Sequence, residues 1–100
     1  MSDEANEIRF EWDPEKAKTN VEKHGVTFEE AATVFYDDLA RLDDDPDHSI
    51  GEHRELICGL SAEGRLLLVS FTERGDVIRI IHAREAAGKE RRKYEENTVV

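Results

Sequence analysis

Cysteine is nearly absent from this 100-residue chain: Cys58 stands alone. No intramolecular disulfide framework is possible, which fits a reducing cytoplasm. In its apolar surroundings Cys58 reads as a buried small hydrophobe rather than a nucleophile. Long hydrophobic runs are absent too. The longest, residues 66–69, falls far short of the roughly 20 residues that span a bilayer as helix. The opening MSDEANE is acidic and polar, unlike a signal peptide. A soluble, cytoplasmic protein is expected.

Positive charge is also in short supply, with 14 Lys and Arg against 24 Asp and Glu and a formal net charge of -10. That balance opposes loose adhesion to nucleic acid or anionic membranes and favours a basic protein partner. The deficit is uneven. Residues 1–53 hold 16 acidic and 5 basic side chains, net -11, whereas residues 54–100 hold 8 and 9, net +1. Between positions 79 and 93, Arg79, Arg84, Lys89, Arg91, Arg92 and Lys93 face only Glu85 and Glu90, a local net of +4. Such a segment on an acidic chain suits an anionic ligand gripped at one place.

Several chemistries find no motif. There is no phosphate-cradling glycine loop, nucleophile elbow or dinucleotide fingerprint. No histidine pair has zinc spacing with carboxylate or thiolate neighbours. The aspartate-rich residues 43–49 fail as a calcium loop counted from Asp43, because position 6 is His48 and position 12 is Arg54, where glycine and glutamate are needed. Neither metal nor cofactor is expected. His24 reads as a helix-end residue favoured by the dipole, and His48 as a loop residue.

One domain fits the length, with residues 1–7 flexible. Residues 8–12 alternate as a short first strand. Asp13-Pro14 opens a helix that runs to Lys23 or His24 and stops at Gly25, with Trp12 and Ala17 at staple spacing. Thr27 caps a second helix with Glu30 at the capping-box position; Phe28, Ala31, Ala32 and Phe35 form its core stripe. Residues 39–42 read as a second strand and 43–49 as a charged loop. Residues 55–60, 65–72 and 77–84 form an antiparallel meander through four-residue glycine connections. Its middle strand is apolar on both faces and therefore covered on both. A helix over residues 86–96 closes an α+β order.

Strict alternation places Ile78, Ile80, His82 and Arg84 on one face of the last strand and Arg79, Ile81 and Ala83 on the other, unless a bulge intervenes. Histidine shuttles protons near neutral pH and arginine grips two phosphate oxygens, so His82 beside Arg84 forms a candidate phosphate-handling group. Arg54, with Glu52 and His53 before it, enters the meander near them. The closing helix has a plainer reading as well. Glu85–Lys89, Arg91–Glu95 and Arg92–Glu96 stand at i, i+4, the spacing of surface ion pairs, and Tyr94 shares a stripe with Ala87 and Arg91.

Two blocks resemble the BrnT family of toxins from bacterial type II toxin–antitoxin modules. The first, residues 10–35, carries Trp12-Asp13, Lys16 and Asn20, His24-Gly25-Val26 and Phe28-Glu29-Glu30-Ala31; the second is RIIHAREAAGKERRKYEE, residues 79–96. Residues 52–54, Gly59 and residues 72–74 fit between them. The chain departs from the pattern at His82, where serine is more usual. The resemblance implies a compact RelE-like fold and a metal-independent ribonuclease that inhibits translation. It also implies silencing by a DNA-binding antitoxin, BrnA, through which alone the toxin meets operator DNA, with a homodimer possible inside the complex. RNA cleavage then assigns Arg54, Arg79 and Arg84 to phosphate and transition-state charge, and His82 or Glu52 to acid or base. Lys89, Arg91 and Arg92 would guide RNA, and Tyr94 would orient a base or phosphate. A non-catalytic module that binds the antitoxin and tunes repression is the competing class.

Overall fold

An aspartate–proline step sets the first helix in the computed structural model, which describes residues 7–45 and 52–98. Asp13 is extended and its Oδ1 accepts the Glu15 N–H at 2.8 Å, while Pro14 fills the first helical position, where its missing N–H costs nothing. The helix, α1 (Pro14–His24), ends at Gly25, whose φ of 69° lies in the left-handed region that glycine enters without penalty. Thr27 then caps α2 (Phe28–Thr33) by accepting the Glu30 N–H at 3.0 Å. A short 3-10 turn (Val34–Tyr36) follows.

Five strands form one sheet: β1 (Arg9–Glu11), β2 (Arg41–Asp44), β3 (Glu55–Leu60), β4 (Leu66–Arg74) and β5 (Val77–Glu85). Their order across the sheet is β1-β5-β4-β3-β2. The expected meander β3-β4-β5 is antiparallel, β2 pairs antiparallel to β3, and β1 adds parallel to β5 through residues 77–79. Helix α3 (Gly88–Thr98) closes the chain. The α+β order is the one read from sequence, with two shifts of boundary. β2 lies two residues later than expected, because Asp37 holds the preceding turn, accepting the Leu39 N–H on its side chain and the Ala40 N–H on its carbonyl. The strand thus takes in Asp43 and Asp44, and residues 46–49 of the charged loop lie outside the described residues. So does the segment 1–7, apart from Glu7. α3 starts at Gly88 rather than Ala86, its first turn closed by Glu90, whose Oε1 accepts the Ala87 N–H at 2.7 Å.

The sheet divides the molecule into two cores. On one face Phe28, Ala31 and Val34 pack with Ile57, Leu67, Val69, Phe71 and Ile80, all buried, while Trp12, Ala17 and Phe35 close the edges. The stripe expected on α2 therefore faces inward. On the other face Tyr94 of α3 packs with Cys58 and Leu66, against Leu68 and Ala86. Burial pushes the Cys58 thiol up to about 11, which keeps it protonated and unreactive. The middle strand β4 is covered on both sides, as its sequence requires.

Gly59 lets two elements meet. A Cβ there would lie 2.9 Å from the Ala40 Cβ and 3.0 Å from Asp37 Oδ2. That same carboxylate oxygen accepts the Leu60 N–H at 2.8 Å and the Tyr94 hydroxyl at 2.7 Å. Among the described residues no helix is long and apolar enough to cross a membrane.

Glu30 does not complete the capping box expected of it. Its carboxylate turns inward, accepting from Arg65 Nε at 3.0 Å, from Arg65 Nη2, and from the Ser61 hydroxyl at 2.7 Å. Arg65 also donates to the Gly25 carbonyl and to Glu85, both at 3.1 Å. One ion pair thus joins the end of α1, α2, the β3–β4 turn and the end of β5.

Two expectations follow. Gly59→Ala forces Ala40 and Asp37 apart and lowers unfolding stability by about 1–3 kcal/mol; an unchanged denaturant midpoint would contradict the close approach. The Arg65 hydrogen bonds hold the Glu30 carboxyl below its ordinary 4.5. The unfolded chain therefore binds that proton more readily, and the stabilisation, complete above 4.5, is lost as pH falls through the lowered folded value. Thermal melts across this acid range should show a shallower pH slope for Glu30→Gln than for the wild type.

Candidate active site

Strict alternation fails once along β5, and that failure builds the site. Phe71 pairs with Ile80 but the preceding Ser70 pairs with His82, leaving Ile81 as an extra residue on β5. A bulge of one residue reverses which face every later side chain takes. Ile78 and Ile80 stay with the α1/α2 core. His82 and Arg84, opposite Ser70 and Leu68, cross to the face that Arg79 already shares with Thr72. The expected grouping of His82 and Arg84 with Ile78 and Ile80 is therefore corrected: Arg79, His82 and Arg84 form one row.

A cleft of about 440 Å³ opens on this face. Arg54 reaches it from the approach to β3, Ser70 from β4, His82 and Arg84 from β5, and Lys89 and Glu90 from α3. The Arg54 segment is pinned on both sides. The Thr72 hydroxyl donates to the His53 carbonyl at 2.7 Å, and the Asp45 N–H to the Arg54 carbonyl at 3.2 Å.

The arginines are oriented by carboxylates. Arg84 makes a two-point pair with Glu90, Nη1 to Oε1 at 2.9 Å and Nη2 to Oε2 at 2.7 Å. This pair, with the Ala87 N–H, holds the Glu90 carboxyl below its usual range and raises that of Arg84 further. Arg79 Nη1 donates to Glu11 at 3.1 Å. Glu52 lies at the same end, gripped by Arg74 Nε at 2.6 Å and Nη2 at 3.0 Å. Arg74 chiefly, then Arg79 and Arg54, hold the Glu52 carboxyl low, which makes it a poor proton acceptor. Arg54 and Lys89 carry no ion pair among the described residues and leave the cleft net cationic.

His82 has a partner that sequence reasoning did not assign. Its Nε2 lies 3.1 Å from His24 Nε2 at the end of α1, the rings crossing at 83°. Partial burial chiefly, then His24, Arg84 and Lys23, push the His82 pKa below 6.5. The imidazole is therefore neutral at physiological pH. Asn20, one turn before His24, sets this contact. Its Oδ1 accepts the Ala83 N–H at 3.1 Å, and its Nδ2 donates to the carbonyls of Ala83 at 2.8 Å and Val26 at 2.9 Å. β1 covers only the first part of the outer β5 edge, and this carboxamide takes over beyond the bulge. The spacing of Lys16, Asn20 and His24, one residue every turn, was the available signal for a functional helix face.

The closing helix divides its expected RNA contacts. Lys89 lines the cleft, and Arg91 and Arg92 are exposed on α3. Tyr94 is instead buried at 7% exposure with its hydroxyl donated to Asp37, so it anchors α3 and offers no free group to a ligand. Glu85 pairs with Arg65 rather than Lys89. Among the described residues no group of three or more His, Cys, Asp or Glu could hold a metal ion.

Fold and cleft together define a small α+β protein with a cation-bearing face on a mixed five-stranded sheet. The model of the family described as "Ribonuclease toxin, BrnT, of type II toxin-antitoxin system" matches residues 12–90, and the chain belongs to that family. The 1.1 Å crystal structure of the Brucella abortus ribonuclease toxin BrnT superposes with a TM-score of 0.62 at 21% identity, covering 81% of this chain and 99% of that one. At that identity the likeness establishes the fold. No curated protein matches the chain.

Asn20→Ala leaves the Ala83 N–H and C=O and the Val26 C=O buried without partners. A loss of about 1–3 kcal/mol per unsatisfied group should appear as a lower Tm, with faster hydrogen exchange at the Ala83 amide. A melt identical to the wild type would remove Asn20 from this role.

Proposed function

We infer that this chain is the toxin of a BrnT/BrnA-type module: a cytoplasmic endoribonuclease that cleaves RNA without a metal and so arrests translation. The observation that carries the reading is the row of Arg79, His82 and Arg84, brought to one face by the bulge, with Arg54 and Lys89 beside it. His82 is the base. With Nε2 turned to His24 at 3.1 Å, Nδ1 is the acceptor that takes the proton of the ribose 2′-hydroxyl. The 2′-oxygen attacks phosphorus, the bond to the 5′-oxygen breaks, and that oxygen leaves with a proton from water in the open cleft. The products are a 2′,3′-cyclic phosphate and a 5′-hydroxyl. Arg54 and Arg84 stabilise the crowded phosphorane, with Arg79 on the neighbouring phosphate. Lys89, Arg91 and Arg92 guide the strand. Glu52, salt-bridged to Arg74, positions arginines rather than moving protons.

The acidic first half, net -11 over residues 1–53, supports a basic, DNA-binding, BrnA-like antitoxin as partner, with operator DNA reached only through it and a toxin homodimer possible in the complex. One observation favours the competing reading of a non-catalytic binding module: Arg84 is already neutralised by Glu90 and Arg74 by Glu52. Substrate must then displace Glu90 from Arg84, whereas a binding module needs no such step.

Expression of the chain alone separates the two. The enzyme arrests growth and degrades RNA in the presence of chelator. His82→Ala lowers the cleavage rate by about 10²–10⁴-fold, and Arg79→Ala or Arg84→Ala abolishes toxicity with the fold intact by circular dichroism. Wild-type activity falls as pH drops through the depressed His82 value, below 6.5, because the base is protonated there. Harmless expression, or full toxicity with both arginines removed, would sink the assignment.

A further inference from the structure

A second groove adjoins the cleft, and the two share His82. It lies between α1 and the outer edge of β5, has a volume of about 290 Å³, and takes Lys16, Thr19, Lys23 and His24 from the helix. Residues 16, 20 and 23 follow one another along a single face of α1, the face that Asn20 fixes against Ala83. The groove lysines differ from six of the chain's 14 cations. Arg9, Arg41, Arg65, Arg74, Arg79 and Arg84 all hold carboxylates. Lys16 and Lys23 hold none among the described residues, and Glu15 is the one carboxylate lining the groove. They also sit in the acidic half, where α1 carries three of the five basic residues found before position 54. Lys23 and Arg84 both act on His82, so cations flank the imidazole from the groove and from the cleft.

We propose that this groove is a second phosphodiester subsite: single-stranded RNA crosses the edge of β5 over His82, with the scissile phosphate in the Arg54–Arg84 cleft and an adjoining backbone phosphate held by Lys16 and Lys23. The proposal rests on the ribonuclease reading and extends it from a point of cleavage to a track. An unpaired ammonium meets a phosphate without first breaking an ion pair, so the groove grips strand without the displacement of Glu90 that Arg84 requires. The Thr19 hydroxyl and the His24 ring offer further hydrogen-bonding groups beside it. The track also explains why the rest of the surface tolerates so much negative charge: a strand confined to one cationic path is repelled on either side of it.

The test is binding of a non-cleavable 2′-O-methyl RNA oligonucleotide, read by fluorescence anisotropy across a salt series. Each lysine that displaces a counterion from a single strand contributes about 0.7 to the slope of log affinity against log salt. Lys16→Gln/Lys23→Gln should therefore flatten the slope by about 1.4 and weaken binding at low salt. Lys18→Gln, on the same helix but outside the groove, should leave the slope as it is. An unchanged slope in the double variant, equal flattening by Lys18→Gln, or no binding by the wild type overturns the subsite. Cleavage of unmodified RNA by the wild type is followed separately. Intact RNA with the predicted slopes would defeat the ribonuclease reading and leave the groove as an RNA-binding surface.

Discussion

One carboxamide decides how the two halves of the molecule meet. Asn20 is almost completely buried, and it offers the edge of β5 what another strand would offer: an acceptor for the Ala83 N–H and a donor for its carbonyl. No apolar side chain of that size does both. The remaining Nδ2 proton goes to Val26, in the turn between the first two helices. Helix α1 is thereby locked in rotation about its own axis and in height along β5. Every other feature of the site inherits that lock, including the approach of His24 to His82 and the groove lined by Lys16 and Lys23.

The distribution of ion pairs follows from the same economy. Arg65 and Glu30 are held where several elements converge, and their charges are matched by directional hydrogen bonds from Ser61 and to Gly25. Taking either partner alone would strand a charge in a poorly solvated place. On the open face the pairs are partly solvated, and their effect is on orientation more than on stability. Glu90 is the sharpest case. It closes the first turn of α3 through Oε1 and clamps Arg84 through Oε1 and Oε2, so the start of a helix and the state of a site arginine are coupled.

Local signals in the chain were readable wherever the physics was local. Asp13-Pro14, Gly25 and Thr27 act through bonds within four residues of themselves, and their helix boundaries could be read directly. The meander was legible from its two glycine turns and the doubly apolar β4. What escaped depended on partners distant in sequence. Glu30 had a local role available at the cap, and Arg65, 35 residues away, took it instead. β2 was placed two residues early because the Asp37 turn is fixed by β3 and α3. The candidate residues were legible as types, but their grouping was not. Nothing in the run from Val77 to Glu85 announces that Ile81 is the bulged residue, since isoleucine suits both faces. Tyr94 was ambiguous for a similar reason: a tyrosine on a basic helix can serve ligand or core, and only the position of Asp37 decides it.

The last strand of the sheet carries a consequence of its own. β2 pairs with β3 on one side and leaves a row of backbone donors and acceptors on the other, beside Leu42 at 60% exposure. Among the described residues no strand pairs with that rim, and an unpaired, partly apolar edge of this kind invites another copy to dock on it and extend the sheet. Asp43 and Asp44 lie on that rim, with Asp37, Asp38 and Asp45 close in sequence. Two copies brought edge to edge would confront the carboxylates at the end of the strand with one another. The acidity that looked at first like simple solubility would thus oppose such an extension, and less so as salt or acid silences those charges.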